Sequence, residues 1–291
     1  MNTLSTFSYT RASLARMPAR EQDSNKGTFG RVLCVCGSRG MAGAAYLCAL
    51  AALRTGAGLV EILTPEVNLP IIQTLIPEAI VSTYDENEPS AQDIEKAVKR
   101  ADTIVCGCGL GVSRSSLFVL SRVLHMSSVP TVLDADALNL VSRNPSLLKY
   151  CSGKILTPHP AEMSRLIRKE VDDVVSDPDT AAYEFAKKHS LVCVLKGHNS
   201  RVSNGSESIY VNASGNSALA TAGSGDVLAG IIASILAQGK NGDMPIFEAA
   251  CLGVYIHGLC GDVCAIRHGE YSTIASDIIA ALPEVLKKAN N

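Results

Sequence analysis

Asp226 follows two closely spaced glycines, Gly223 and Gly225, and opens a long apolar run in TAGSGDVLAGIIASILAQG, residues 221–239. Glycines there let the backbone approach a ligand closely, and the first amides of a helix form an anion site reinforced by its dipole. A carboxylate in that setting can take the proton from a substrate hydroxyl as its oxygen attacks a phosphoryl group. Aspartate is also a preferred helix N-cap, so a capping role competes with the catalytic one. The lead-in NASGNSALATA (212–222) is longer than a cap needs and favours phosphoryl transfer. The segment is neither a Walker A loop, which ends in G-K-[ST], nor a dinucleotide-binding fingerprint.

Other stretches carry side chains suited to the same reaction. In KGHNS (196–200), Lys196 offers a point charge for phosphates, and the backbone of Gly197, His198, Asn199 and Ser200 can cradle a nucleotide. The plain alternative is an exposed lysine at a strand end. TPHPAEMSRL (157–166) sets His159 between two prolines, whose fixed φ and missing N–H groups hold the imidazole in place. Its alternative is a solvated loop histidine. Glu162 is either a helix-start charge or an indirect Mg2+ partner. DADALN (134–139) puts Asp134 at a strand terminus, where it can orient a site group, and Asp136 at a helix start, where a cap is expected. Glycines in GSRGMAGAA (37–45) and GCGLG (107–111) leave room for a bulky ligand.

These motifs sit at the ends of regularly spaced elements. β-type runs at 31–36, 58–63, 103–109, 130–134, 154–158 and 191–196 alternate with helical stretches near 43–56, 91–100, 114–127, 160–169 and 178–190. Continuous apolar strands are buried on both faces, which means a mostly parallel sheet between helical layers. RVSNGSESIYVN (201–212) differs, with two short strands about an Asn-Gly turn. Helices near 225–238, 245–264 and 273–288 follow it. In an open α/β sheet, ligands bind beyond the carboxyl ends of the strands. Five strand ends that are all Gly-rich or polar therefore predict one crevice. No linker or repeat divides the chain, so residues 1–291 read as a single domain with 1–25 as a peripheral N-terminal segment.

Composition narrows the function classes. Hydrophobic residues make up 47% and charged residues 19%, enough for a large core. A net charge of -2 argues against a nucleic-acid surface or a polybasic membrane contact. No apolar run is read as reaching the ~20 residues of a bilayer span, with Met41 to Leu53 the nearest approach, and no signal-peptide core is seen. A cytoplasmic protein is expected. The ten cysteines include Cys34-x-Cys36 and Cys106-x-Cys108 but no C-x-x-C pair. Each C-x-C pair is expected to face one side of a strand as reduced core residues, and no metal ligand set is assigned.

Taken in order, KGTFGRVLCVCGSRGMAGAAYLCALAALRTGAGLVEILTP, GCGLG, LDADALN, LTPHPAE, VLKGHNSRV and GNSALATAGSGDVLAGIIA resemble the NAD(P)H-hydrate dehydratase family from about Lys26 to Ile279. The resemblance implies a ribokinase-like three-layer α/β/α fold. It also implies a hydro-lyase that uses ADP or ATP, with Mg2+, to convert the S epimer of hydrated NADH or NADPH back to NAD(P)H, releasing AMP or ADP and phosphate. Bacterial members typically use ADP. Some members carry an epimerase domain, for which this chain leaves no room.

Carried over by motif, Ala44, Gly109, His159 and Asp226 would contact the hydrated dinucleotide, with Asp226 as the base. Lys196, Gly197, His198, Asn199, Ser200 and Gly225 would hold the adenine nucleotide. Where the family usually shows GPGLG, PHPGE and GGTGD, this chain has Cys108, Ala161, Ala222 and Ser224. A homo-oligomer is expected, a tetramer among the options. Two rivals share parts of the pattern: a small-molecule hydroxyl kinase of the same fold (hydroxyethylthiazole or hydroxymethylpyrimidine type), and a non-catalytic dinucleotide sensor that would tolerate loss of Asp226.

Overall fold

The computed structural model describes residues 4–240, 242 and 244–287. The strands are β1 (Ser5–Phe7), β2 (Arg31–Val35), β3 (Leu59–Pro65), β4 (Ile80–Tyr84) and β5 (Thr103–Cys106) in the first half. The second half supplies β6 (Thr131–Leu133), β7 (Ile155–Leu156), β8 (Val192–Leu195), β9 (Arg201–Ser203) and β10 (Ser208–Val211). They form one sheet in the order β1-β10-β9-β8-β7-β6-β5-β2-β3-β4. All neighbours pair in parallel except β9, which runs antiparallel to β8 and to β10. The Asn-Gly hairpin is therefore where the parallel pattern breaks, as its turn chemistry requires. β1 comes from the N-terminal segment expected to be peripheral and adds the outermost strand beside β10.

The helices are α1 (Ala42–Thr55), α2 (Leu69–Leu75), α3 (Ala91–Arg100), α4 (Arg114–Met126), α5 (Asp136–Arg143) and α6 (Pro160–Ile167). They continue as α7 (Val171–Ser176), α8 (Pro178–His189), α9 (Ser224–Gln238), α10 (Ile246–His268) and α11 (Ala275–Lys287). Residue 288, the expected end of the last helix, lies outside the described residues. Along β2 the side chains alternate between two cores. Val32 and Cys34 pack with α1, α9, α10 and α11. Leu33 and Val35 pack with α3, α4, α5 and α8. This is the expected three-layer architecture.

Two expectations need correction. The longest apolar stretch is not Met41 to Leu53 but α10, whose 23 residues are long and apolar enough to cross a bilayer by composition alone. It is mostly buried against α9 and α11, a core helix wrapped by protein. All ten cysteines are buried and unpaired. Cys34 and Cys36 share one core, but Cys106 and Cys108 lie in different ones. The strand ends at Cys106, and Gly107 at φ 127 turns the chain, so strand alternation no longer applies to Cys108.

From β2 the chain runs outward through β3 and β4, then returns to β5 and continues the other way. The β2/β5 boundary is thus the topological switch point, where an open sheet leaves its ligand crevice. The loops after these strands meet there. Gly37 N donates to Cys108 O at 2.8 Å, and Ser38 Oγ to Gly109 O at 2.8 Å.

Candidate active site

The apolar helix α9 has Gly223 as its N-cap, in the left-handed conformation at φ 86, so Ser224, Gly225 and Asp226 form its first turn. Asp226 is therefore not the cap but the third residue of the helix. Ser224 N donates to Thr221 O and Val227 N to Gly223 O. Among the described residues, the amides of Gly225 and Asp226 between them have no backbone acceptor. Two free N–H groups at the positive end of a 15-residue helix form an anion site.

Asp226 is half-buried beside Cys108 and Asp134, with one ligating atom from each of the three within 4.8 Å of the others. Burial pushes its carboxyl up to about 9, with the neighbouring Cys108 and Asp134 adding to the rise and Lys196 opposing it. The acid is thus protonated at neutral pH before any ligand arrives.

Asp134, at the end of β6, is almost wholly buried and anchors the opposite wall. Its Oδ1 accepts from Lys196 Nζ at 2.6 Å and from Thr157 Oγ1 at 2.7 Å. Ala135 follows at φ 48, a strained conformation for a residue with a Cβ. This residue, and not Asp136, is the N-cap of α5. The capping role expected of Asp136 is therefore corrected: its Oδ2 accepts from Gly111 N at 2.8 Å, tying the GCGLG loop to the DADALN turn.

Lys196 also lies 3.8 Å from Glu162 Oε2. Burial alone would lower the lysine pKa, but the Asp134 and Glu162 carboxylates outweigh it and hold the ammonium charged. His159 is the N-cap of α6. Its Nδ1 accepts from Ala161 N at 3.2 Å, while Glu162 Oε2 accepts from His159 N at 2.8 Å. The capping box, in addition to the flanking prolines, fixes the ring. Burial and the nearby Lys196 and Arg165 lower the His159 pKa, which keeps the imidazole neutral.

A cavity of about 640 Å³ opens beside this cluster. His159, Lys196, Gly197, His198, Asn199, Ser200 and Gly225 all line it, so every residue expected to hold the nucleotide faces one space. Ala44, Gly109 and Asp226 do not line it. Ala44 and Gly109 instead pack against each other: a Cβ on Gly109 would stand 2.8 Å from that of Ala44. Of the four residues expected to meet the dinucleotide, His159 thus sits on the nucleotide side of the crevice.

The sequence reading did not anticipate His257 of α10, whose Nε2 lies 3.1 Å from Ser224 Oγ. A lone histidine inside the apolar run GVYIHGLCG was its only signal. Cys108 as the neighbour of Asp226 was missed as well. For a hard cation such as Mg2+, the Cys108 thiol is a poor ligand, and Asp134 already serves Lys196 and Thr157. Asp226 and Asp134 Oδ2 remain, a sparse set that fits an ion bound mainly through substrate phosphates and its own waters.

Comparison with known proteins gives a consistent picture. A family model described as NAD(P)H-hydrate dehydratase matches residues 32–284. The ADP-dependent (S)-NAD(P)H-hydrate dehydratase of Neisseria meningitidis serogroup B is 42% identical over 266 residues, covering 90% of this chain and 85% of that one. The chain spans about half, 52%, of the length of a bifunctional NAD(P)H-hydrate repair enzyme from Vibrio cholerae that it also matches. Among solved structures, the ADP/ATP-dependent NAD(P)H-hydrate dehydratase of Bacillus subtilis, co-crystallised with ATP/Mg2+, superposes with a TM-score of 0.82 at 28% identity, covering 99% of each chain.

Proposed function

The chain belongs to the NAD(P)H-hydrate dehydratase family, and from that premise we propose that it is an ADP-dependent enzyme that dehydrates the S epimer of hydrated NADH or NADPH. One observation carries the reading: a protonatable carboxyl, two free helix amides and a half-buried lysine ammonium converge at the start of α9, beside a cavity of nucleotide size.

The chemistry follows from the substrate. Its hydroxyl sits on the carbon next to the ring nitrogen, and hydroxide is a poor leaving group. Asp226, once deprotonated, takes the hydroxyl proton as the oxygen attacks the terminal phosphoryl group of ADP, and AMP departs. The amides of Gly225 and Asp226 hold the transferring charge, and Lys196 steadies the polyphosphate. The ring nitrogen's lone pair then expels phosphate, and loss of a proton restores the dihydropyridine. A Mg2+ ion held by the phosphates and Asp226 would supply further charge neutralisation. Ala44 and Gly109, packed against each other where the loops after β2 and β5 meet, are the residues the dinucleotide would contact at the switch point.

The test is recovery of reduced-nicotinamide absorbance from purified hydrate. Recovery with ADP and Mg2+, at a higher kcat/KM than with ATP, is expected. A higher value with ATP would overturn the nucleotide assignment. No recovery with either nucleotide would overturn the activity.

A further inference from the structure

Ser224 stands between two glycines at the start of α9. Its hydroxyl has one partner among the described residues, Nε2 of His257, at 3.1 Å. Both side chains are buried, and both line the cavity of about 640 Å³ that Lys196 to Ser200 also line. His257 comes from α10, a helix that contributes no other charged or titratable group to that wall. An imidazole in an apolar helix interior needs a specific polar role to offset its burial.

We infer that His257 is a positioning residue for the nucleotide: its Nε2–H donates to Ser224 Oγ, so that the serine hydroxyl presents its own hydrogen to a phosphate oxygen. The proposal rests on the functional reading above, because it assumes an adenine nucleotide in this cavity.

The direction of the hydrogen bond depends on the tautomer of the ring, and the proposal assigns the one with the hydrogen on Nε2. Burial holds the His257 pKa down at about 4, only partly offset by the Ser224 backbone, so the ring is neutral and carries one N–H. A serine hydroxyl that accepts from the ring is left with its hydrogen free, the polarity an anion requires. In the opposite tautomer, the hydroxyl would donate to the ring and turn lone pairs toward the phosphates. The amides of Gly225 and Asp226 are donors without backbone acceptors in the same first turn, and the relay adds a third donor to that turn.

The arrangement predicts coupled rather than independent effects. Ser224→Ala removes the donor, and His257→Leu removes the group that aims it. Each should weaken ADP binding, measured by calorimetry without hydrate, about tenfold, the size expected for a hydrogen bond to a charged group. The double variant should be no worse than either single one. His257→Gln, whose amide nitrogen occupies roughly the place of Nε2, should recover most of the loss, and Ser224→Thr should bind as wild type does. Losses that multiply in the double variant, or a glutamine variant no better than leucine, would overturn the relay. Wild-type protein that takes up no adenine nucleotide would overturn the functional reading and the relay together. If wild type binds ADP but both single variants bind equally well, the relay alone is overturned. Ser224→Ala changes one oxygen and keeps the backbone, so the comparison stands even if His257→Leu folds poorly.

Discussion

Replacing Asp226 by asparagine separates the catalytic reading from every structural one, because the two quantities it changes move in opposite directions. The carboxyl has an ordinary value of 3.8 and is pushed up to about 9 in the folded protein, chiefly by burial. A raised carboxyl pKa means the folded state binds more protons than the unfolded state between these values, so stability falls as pH rises through that window. At pH 7 the span is roughly three units at about 1.36 kcal/mol each, a penalty of about 4 kcal/mol that asparagine does not carry. Asp226→Asn should therefore match wild type below pH 4 and grow steadily more stable above it. At pH 7 the gain is on the order of 5–10 °C in Tm. Turnover should meanwhile fall by about two to four orders of magnitude, as loss of a general base does. The assay is a series of thermal melts from pH 4 to 9 beside turnover at saturating nucleotide. An ionised carboxylate merely assisting the helix N-terminus would give the opposite sign, a small loss of stability on substitution. A Tm difference that is flat or negative across this range would refute the buried neutral acid, and near-normal turnover would refute the base.

Three further outcomes are expected. Lys196→Met leaves Asp134 buried without its cation and should cost about 3–5 kcal/mol in urea unfolding, with Asp134→Asn added to it recovering much of the loss; unchanged stability would contradict the buried pair. Gly225→Ala would place a Cβ at ordinary distances, 3.4 Å from Lys196 Nζ and 3.5 Å from Asp134 Oδ2, so folding should survive while the methyl group covers the anion site and raises KM for nucleotide. A normal KM would move the phosphates elsewhere. With limiting nucleotide, kcat/KM should rise with pH toward about 9 as Asp226 loses its proton, whereas a profile flat from pH 6 to 10 would exclude that group as the base.

Much of this site was legible because strand ends announce themselves. The apolar runs at 103–109 and 191–196 end in glycine or lysine, and parallel strands carry all such ends to one edge of the sheet. Lys196 and Asp134 could thus be grouped without coordinates, and Asp226 joined them through the resemblance. Partnerships made across layers were not legible. His257 reaches Ser224 from a helix 33 positions away, and no local pattern encodes which face of a uniformly apolar helix a histidine occupies. The roles of Asp134 and Asp136 were separable only once the backbone was known. The turn at Ala135 takes the cap away from Asp136 and sends the two carboxylates to Lys196 and to Gly111. β4 escaped notice because it runs from an exposed Ile80 to a buried Tyr84 and reads as neither a continuous apolar run nor a helix face.

Asp134 links the two halves of the site, and that linkage bears on how a protonated acid becomes a base. Its carboxylate is shared between the Lys196 ammonium on one side and the space beside Asp226 on the other. A nucleotide polyphosphate that draws Lys196 toward itself leaves more negative charge near Asp226, and this alone would push the Asp226 pKa further up. Nucleotide binding by itself therefore works against deprotonation. Positive charge delivered with the nucleotide would have the opposite effect, and within this cluster the Asp226 carboxyl and Asp134 Oδ2 are the oxygens that Lys196 and Thr157 do not engage. In this arrangement the order of events would follow from electrostatics: the acid stays neutral until the nucleotide, and the positive charge it would bring, reach Asp226.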